Sequence, residues 1–429
     1  MASPQILDNI SELSAILKTV FGPGVEQQQN LAAMLYKKLD TSEVRFGGNA
    51  YEFPARMVNT QSVGARGYRA PLPQPILNVD VTSRVRHKFI YGSFDIPGPD
   101  IEKGKGNPNA FVNTLTDKLQ SVTQMVLKDL NMQTYLDGTG VRATSTGAWA
   151  AGASTVDRIK YLRVGMQVNV IAGADGATLR LGGDTFPGDT GTAFAGAGFT
   201  IMAIDPTTLT VTLGAGSPLV ATTPTGAVVT DLIVRHRTAG AELTGLGAIV
   251  DDGIFNPGAN VLQDIDRTAN PLWRATVLNA GGGDITLQLL QIGMDRPEIA
   301  SGRRIDLMVT SYNGRDRYLQ LLVPQKRFTD LKLDGGFQML EYNGRDVAVD
   351  VDCPDDTWWE LSRDTIKKFG LFDLQFVEQT GGILKHDSLS AGDVFYGFMR
   401  AICNFGTTQA NANAAIRNFT VDSSYILNS

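Results

Sequence analysis

The sequence predicts an α+β fold with a long two-stranded β arm, one long helix and a separate β-rich module. Three patterns in the 429 residues support this prediction. Apolar and polar residues alternate over 76–91, which is typical of a strand, and apolar residues recur every three or four positions over 107–137, which is typical of a helix. Residues 171–230 contain only five charged residues, among several short strand patterns separated by turn residues.

The chain begins with two short amphipathic stretches in residues 1–43. Apolar residues recur at helical spacing from Ile6 to Val20, and a second stretch over 28–39 places Leu31, Leu35 and Leu39 on one face. Both stretches are short, so we expect them to lie against another part of the protein.

Residues 44–106 predict an extended β loop with an irregular tip rich in Gly, Arg and Pro. A two-stranded arm is marginally stable alone, so we expect it to lie on another subunit. Nucleic acid is an alternative partner for its basic residues, but the arm still needs a protein surface. The residues predicted to make the subunit contact are Arg66, Tyr68, Arg69, Val79, Val81, Arg84, Arg86, Lys88 and Phe89.

The strand over 76–91 is expected to have two different faces. Strict alternation places Val79, Val81, Val85 and Phe89 together on an apolar face. The opposite face then carries Arg84, Arg86 and Lys88.

Residues 107–140 predict the long helix. Asn107 can cap its start, Pro108 suits its first turn, and Gly138 is placed to end it. A helix of about 30 residues would be ~45 Å long, which suggests a strut.

The rest of the chain divides into three parts. Residues 141–155, rich in Gly and Ala, are interpreted as a linker, and 156–240 as a small all-β domain with a hairpin predicted over 201–213. Residues 241–429 mix α and β patterns, with a helix predicted over 312–322 and a hairpin predicted at Asn343-Gly344.

The motifs of common enzymes and metal sites are missing from the sequence. The three histidines have no metal-ligand spacing, and no G-x-S-x-G motif is present. The acidic run 350–356 could attract calcium, but a solvated strand face is the simpler interpretation. Cys353 and Cys403 are expected to be buried free thiols. We therefore expect neither catalysis nor a cofactor.

Charge and hydropathy limit the classes of partner. The formal net charge of −6 excludes a chain-wide basic footprint for nucleic acid. No apolar run approaches the ~20 residues of a membrane span, and the N-terminus does not resemble a signal peptide, so no membrane partner is expected.

The order of these parts resembles the major capsid proteins of tailed bacteriophages, which have the Hong Kong 97-type fold. Local runs that fit versions with an inserted β domain are 161–166 (YLRVGM), 204–211 (IDPTTLTV), 245–253 (GLGAIVDDG), 340–344 (LEYNG) and 380–384 (TGGIL). The resemblance implies an N-terminal arm (1–43), an extended loop (44–106), a spine helix (107–140) and, within 241–429, peripheral and axial domains.

The resemblance also implies a structural function. Copies would assemble as hexamers and pentamers into an icosahedral shell around double-stranded DNA, in a virion assembled in the host bacterial cytoplasm. A portal, a decoration protein and a scaffolding protein are implied partners, the last because only about 40 residues precede the arm; the alternative is self-assembly. Some relatives cross-link subunits through a Lys of the extended loop, but 60–76 contains no Lys, so we expect a non-covalent shell.

Two other functions remain open from the sequence. An encapsulin-like compartment would have the same fold with protein cargo in place of DNA. A carbohydrate-binding or adhesive virion protein would use the 156–240 module instead. An enzyme ranks third, because its motifs are missing.

Overall fold

The computed structural model describes residues 33–426 with the exception of 43–47, 61, 69, 75, 100–113, 174–175, 177, 185–197, 217, 256–259, 323–339, 378–384 and 387–392. The first amphipathic stretch, Arg69 and the helix start at Asn107 therefore lie outside the described residues. The chain forms two compact units. The described residues of the smaller unit come from Gly92–Gln124 and Phe376–Phe398, and those of the larger unit from Leu31–Tyr91, Met125–Gln375 and Met399–Ser429.

The described elements confirm a mixture of helices and sheets, with strands predominating. The α-helices are α1 (Leu35–Lys38), α2 (Thr114–Tyr135), α3 (Leu246–Ile249), α4 (Leu287–Ser301) and α5 (Tyr312–Leu322). The strands are β1 (Ala50–Val58), β2 (Val79–Arg86), β3 (Lys88–Pro97), β4 (Val141–Thr144), β5 (Ala153–Thr155), β6 (Gln167–Ile171), β7 (Gly198–Asp205), β8 (Thr210–Ala215), β9 (Val220–Ala221), β10 (Leu232–Arg235), β11 (Val261–Leu262), β12 (Ile265–Asp266), β13 (Thr276–Asn279), β14 (Leu307–Thr310), β15 (Leu340–Tyr342), β16 (Arg345–Val349), β17 (Thr357–Leu361), β18 (Ile366–Phe376), β19 (Lys385–His386), β20 (Val394–Thr407) and β21 (Ala414–Arg417).

The predicted arm is an antiparallel hairpin of β1 and β2. One face is charged: Glu52 pairs with Arg84 at 2.7 Å and Arg56 with Asp80 at 2.9 Å, each directly across the two strands. The other face is apolar, and its Tyr51 ring stacks on Phe369 with 5.1 Å between ring centroids. The hairpin therefore has one solvent-exposed charged face and one apolar face that packs against residues of its own chain.

The expected single strand over 76–91 is wrong, because it breaks at His87 into β2 and β3. Val85 is buried in β2, whereas in β3 the buried residues are Ile90, Phe94 and Ile96. One residue outside the ladder shifts the alternation by one position, so every later side chain changes face. Phe89 consequently leaves the face of Val85 and is 57% exposed.

The predicted long helix is observed as α2, whose described part has 22 residues and is about 33 Å long. Leu130 and Tyr135 are buried on its inner side. The helix ends three residues before Gly138, which has a φ of +84°. This left-handed conformation favours glycine and agrees with the predicted stop.

The β-rich module is built on one seven-stranded sheet in the order β4-β10-β6-β7-β8-β5, with β9 paired to β8. Its core contains Val168, Phe199, Leu213 and Ile233, each fully buried. The predicted hairpin of β7 and β8 is confirmed, and Asp205 stabilises its turn by accepting from the Thr207 backbone amide at 2.9 Å.

The linker assigned to 141–155 is wrong, because that segment contains two strands of this sheet. β4 pairs with β10, and β5 pairs with β8. Each strand has only three or four residues, and their partners are distant in sequence. Strands of three or four residues are too short to show a clear apolar pattern in the sequence, so their pairing is set by the rest of the sheet.

We expect residues 141–240 expressed alone to unfold cooperatively, with β-type circular dichroism. The fragment 156–240 should be markedly less stable, because it lacks β4 and β5 and exposes the strand edges that they cover. Thermal unfolding of both fragments tests this. Equal melting temperatures, or a coil-like spectrum of the longer fragment, would contradict the domain assignment.

The C-terminal part contains a six-stranded sheet in the order β13-β21-β17-β14-β16-β15. Leu290 of α4 and Tyr318 of α5 belong to the same core cluster as Trp358 of the sheet. The Asn-Gly hairpin prediction is confirmed, since Asn343 and Gly344 have φ values of +49° and +71°. The predicted helix over 312–322 is α5.

The smaller unit contains the second half of β3 and the first half of β20. The Gly98 amide donates to the Asp393 carbonyl at 2.8 Å, and the Phe94 ring meets Phe376 edge-on with 6.3 Å between centroids.

Among the described residues, no helix is both long enough and apolar enough to cross a membrane.

Candidate subunit-contact surface

The arm tip, defined here as residues 59–78, presents apolar side chains to solvent. Tyr68, Leu72 and Leu77 are 95%, 82% and 87% exposed, and Val63 and Ile76 are exposed as well. Soluble proteins rarely display such a concentration of exposed large apolar residues unless a partner covers them. The tip also contains two Arg and no Asp or Glu.

The two legs of the tip are tied to each other. The Thr60 amide donates to the Asn78 side chain at 2.7 Å, and the Thr60 hydroxyl donates to the Ile76 carbonyl at 2.6 Å. Between the legs, Pro71 and Pro73 hold the backbone extended. The tip is therefore ordered by its own hydrogen bonds and prolines rather than by packing.

The structure gives three of the predicted basic contact residues partners within their own chain. Arg86 binds Asp264 through two hydrogen bonds of 2.8 and 2.7 Å. Arg84 pairs with Glu52, and the Lys88 ammonium donates to the Gly240 carbonyl at 2.5 Å. Burial lowers the pKa of Lys88. Arg86 and Lys88 therefore attach the base of the arm to distant parts of the chain, and Arg84 joins the two strands of the arm, roles that the sequence did not indicate.

The other predicted contact residues divide by position. Arg66 and Tyr68 lie in the exposed tip, and Arg69 lies outside the described residues. Val79 is 49% exposed, Val81 is half-buried and Phe89 is exposed, so all three are accessible to a second molecule. The candidate contact surface is therefore the tip together with these three apolar side chains.

The acidic run is not a solvated face, which corrects the sequence interpretation. Asp350 and Asp352 are buried, and Asp352 pairs with the buried Lys128 of α2 at 2.7 Å. The Asn131 side chain donates to both carboxylates, at 2.6 Å to Asp352. Burial raises the pKa of Asp352, although Lys128 and Asn131 oppose this shift.

This buried cluster joins three distant chain segments. Asp350 also accepts from the Leu35 backbone amide at 3.3 Å, which attaches α1 to the same site. Nearby, Lys160 donates to Asp355 and to the Cys353 carbonyl, each at 2.6 Å. The carboxylates of Asp350 and Asp352 thus interact with the Lys128 ammonium group, the Asn131 side-chain amide and backbone N–H groups. Among the described residues, no group of His, Cys, Asp and Glu could hold a metal ion.

A second buried ion pair connects the β module to α2. Arg142 of β4 is fully buried and contacts Glu242 at 2.6 Å and Asp129 of α2 at 3.3 Å. Burial raises the pKa of Glu242, with Arg142 acting in the opposite direction. Sequence reasoning missed this pair, because Arg142 stood in the presumed linker.

A cleft with a volume of about 1520 Å³ includes Tyr161, Phe255 and Trp359 in its lining. Two cations of its walls are paired with carboxylates: Lys160 with Asp355 at 2.6 Å, and Arg417 with Asp251 at 2.8 Å.

Glu360 of β17 is a fully buried carboxyl group facing α4. Neither of its oxygens has a hydrogen-bond partner among the described residues, and a Cβ at Gly293 would overlap them. Burial raises the pKa of Glu360 well above its usual range, and Asp295 adds to the shift. The neutral acid is therefore the form that this core accepts.

We expect Glu360 to make the protein less stable as pH rises. The folded state holds a proton that the unfolded chain releases above a pKa of ~4.3, so the free energy of unfolding should fall above that pH by up to ~1.4 kcal/mol per pH unit. Glu360→Gln should flatten this slope between pH 5 and 8 in urea denaturation followed by tryptophan fluorescence. Glu298→Gln, at an exposed carboxylate on α4, is the control. Parallel profiles for Glu360→Gln and the unsubstituted protein would contradict this assignment.

No protein-family model matches the sequence, and no curated protein matches it. Solved structures do match. A chain of the cyanophage A-1(L) capsid asymmetric unit superposes with a TM-score of 0.59 and 13% identity, covering 95% of this chain and 98% of that one. The capsid of a native GTA particle gives a TM-score of 0.50 and 8% identity, covering 97% of this chain and 100% of that one. The chain has the fold of a phage capsid protein.

This match covers 95% of the chain, so the similarity in fold is not confined to one part of it. At 13% identity the likeness establishes the fold, while individual contact residues rest on the geometry described above.

Proposed function

We propose that the protein is a major capsid protein of the Hong Kong 97 type. Its copies assemble into hexamers and pentamers that tile an icosahedral head around phage double-stranded DNA. The observation that carries this proposal is the exposed apolar arm tip on a capsid fold: the side chains of Val63, Leu72 and Leu77 are exposed to solvent, and a neighbouring subunit in a shell would cover them. Each buried Å² of apolar surface contributes roughly 25 cal/mol, and a closed shell repeats that contact in every subunit.

The further partners follow from the same proposal. A portal, a separate scaffolding protein and a decoration protein complete the virion, which is assembled in the host bacterial cytoplasm. DNA would meet the inner face without sequence recognition, and the net charge of −6 suits a lumen that does not grip it.

Electron microscopy of the purified assembly tests the proposal. The chain should be expressed alone and together with candidate scaffolding proteins from the same source. Closed shells of ~50 nm or more that contain DNA in the native particle would support it. Smaller shells filled with protein would favour an encapsulin-like compartment. A monomer under all conditions that binds glycans through the β module would favour the adhesive alternative and overturn the proposal.

We expect mature shells to be held without covalent cross-links. Residues 60–76 contain no Lys, and an Arg guanidinium stays protonated and cannot attack an amide carbon. Lys88 is fixed to Gly240 at the arm base. Particles boiled in denaturing detergent should run as one band near 46 kDa. A ladder that persists after reduction would contradict this expectation.

A further inference from the structure

The turn that joins β11 to β12 has an unusual sequence for its conformation. It consists of two residues, Gln263 and Asp264, whose φ values are +54° and +64°. Two-residue hairpin turns with positive φ at both positions favour Asn-Gly, because most other residues are strained there. The turn between β15 and β16 follows that preference with Asn343-Gly344. The β11–β12 turn therefore keeps two residues that its backbone does not favour.

Both residues of this turn contact the base of the arm or the strand behind it. The Asp264 carboxylate accepts two hydrogen bonds from the Arg86 guanidinium, at 2.8 and 2.7 Å. The Gln263 side-chain oxygen accepts from the Thr407 backbone amide of β20 at 3.3 Å. The Gln263 carbonyl accepts from the Arg84 backbone amide of β2 at 2.9 Å. Asn-Gly at this turn would keep the last contact but would lack the carboxylate and carry a shorter amide side chain.

The same place is where β2 packs most closely on β20. A Cβ on Gly406 of β20 would lie 2.6 Å from the Val85 side chain, 2.8 Å from the Gln263 side-chain nitrogen and 3.1 Å from the Phe369 ring. The Asn404 side chain of β20 donates to the Arg86 carbonyl at 2.8 Å. The arm therefore leaves the body of the subunit at a point where β2, β20 and the turn all meet.

The pair of Arg86 and Asp264 contributes orientation more than stability. The two side chains are 63% and 31% exposed, and exposed ion pairs add little to the free energy of unfolding. A bidentate pair nevertheless fixes the relative orientation of the guanidinium and the carboxylate. Backbone strain that is kept for such contacts is typical of positions selected for function.

We propose that the Gln263-Asp264 turn is an orientation latch, which holds the arm in one direction relative to the larger compact unit. It is a conformational device of the free subunit and goes beyond the proposed shell function. Without the latch, the packing of Val85 on β20 would remain, and the arm would bend about that contact.

Distances between two spin labels on the free subunit test this latch. One label is attached to the arm tip at Asn59→Cys and the other to α4 at Ile299→Cys, both at exposed positions. The native Cys353 and Cys403 are buried free thiols, so the chain without the two added cysteines gives the blank for labelling. The unsubstituted turn should give a single narrow distance distribution.

Replacing the turn should release the arm without unfolding the chain. Gln263→Asn/Asp264→Gly should keep the circular dichroism of the unsubstituted protein, because Asn-Gly favours the same turn, and should broaden the distance distribution several-fold. Arg86→Gln removes the same ion pair from the arm side and should broaden it as well. The matched control, Asn343→Gln/Gly344→Asp, places the strained pair in the β15–β16 turn. It should lower the midpoint of urea unfolding and leave the distance distribution unchanged.

The outcomes decide whether the turn sets the direction of the arm. Distance distributions as narrow as that of the unsubstituted subunit, in both Gln263→Asn/Asp264→Gly and Arg86→Gln, would overturn the latch. The packing of Val85 and Phe369 would then hold the arm by itself. If the substituted turn does not fold, Arg86→Gln decides alone. The result is independent of whether shells form, because the measurement is made on free subunits.

Discussion

Replacing residues 61–77 by Asn-Gly is expected to abolish shell formation and leave the subunit folded. Thr60 and Asn78 already lie opposite each other, with 2.7 Å between the amide and the side-chain oxygen, so a short turn can join the two strands. The deletion removes five exposed large apolar side chains and both tip arginines, but none of the base contacts of Arg84, Arg86 and Lys88.

Sedimentation and electron microscopy should show free subunits or small oligomers in place of shells, with unchanged circular dichroism. The control is Ile299→Ser, which removes an equally exposed apolar side chain elsewhere and should assemble normally. Shells of normal yield and heat resistance from the truncated protein would show that the tip is dispensable, and the contact would have to be sought at Val79, Val81 and Phe89.

Lys128→Met is expected to destabilise the subunit by about 3–5 kcal/mol, because removing one partner of a buried ion pair leaves the other charge unpaired. Lys128 and Asp352 are both almost completely buried, and their charged atoms are 2.7 Å apart. Asp352 and Asp350 would then share the Asn131 amide as their principal side-chain donor.

Urea denaturation measures this loss. Arg304→Met breaks the exposed pair with Glu298 and should cost less than about 1 kcal/mol. The double substitution Lys128→Met/Asp352→Leu should recover part of the stability, since no buried charge is left without a partner at that position. A Lys128→Met variant as stable as Arg304→Met would mean that water reaches the pair.

Local patterns predicted the elements whose cause is local. Asn343-Gly344 specifies its turn through positive φ, the helical period over 312–322 gives α5, and Gly138 lies just beyond the end of α2. The alternation on either side of the arm tip gave the hairpin of β1 and β2.

Features set by distant partners escaped sequence reasoning. β4 and β5 are strands because β10 and β8 pair with them, and nothing in 141–155 indicates this. His87 lies outside the strand ladder, so Phe89 does not share the face of Val85. The sequence does not reveal this break, because apolar and polar residues continue to alternate across it. The sequence predicted that Asp352 is solvated, whereas in the fold α2 places Lys128 beside it and both side chains are buried. The exposure of the tip, by contrast, could be predicted from the sequence, because a segment rich in Gly, Arg and Pro does not form an apolar core of its own.

The two-faced hairpin beneath the tip affects the entropy of assembly. Its apolar face packs against Phe369, and ion pairs join the two strands on its charged face. At its base, Arg86 pairs with Asp264. Most of the entropy cost of ordering the arm is therefore incurred when the monomer folds, before two copies meet. A preorganised arm binds a neighbouring subunit more tightly than a flexible arm with the same contacts, because it loses less conformational entropy on binding. It also holds its tip at a fixed angle before the two subunits meet.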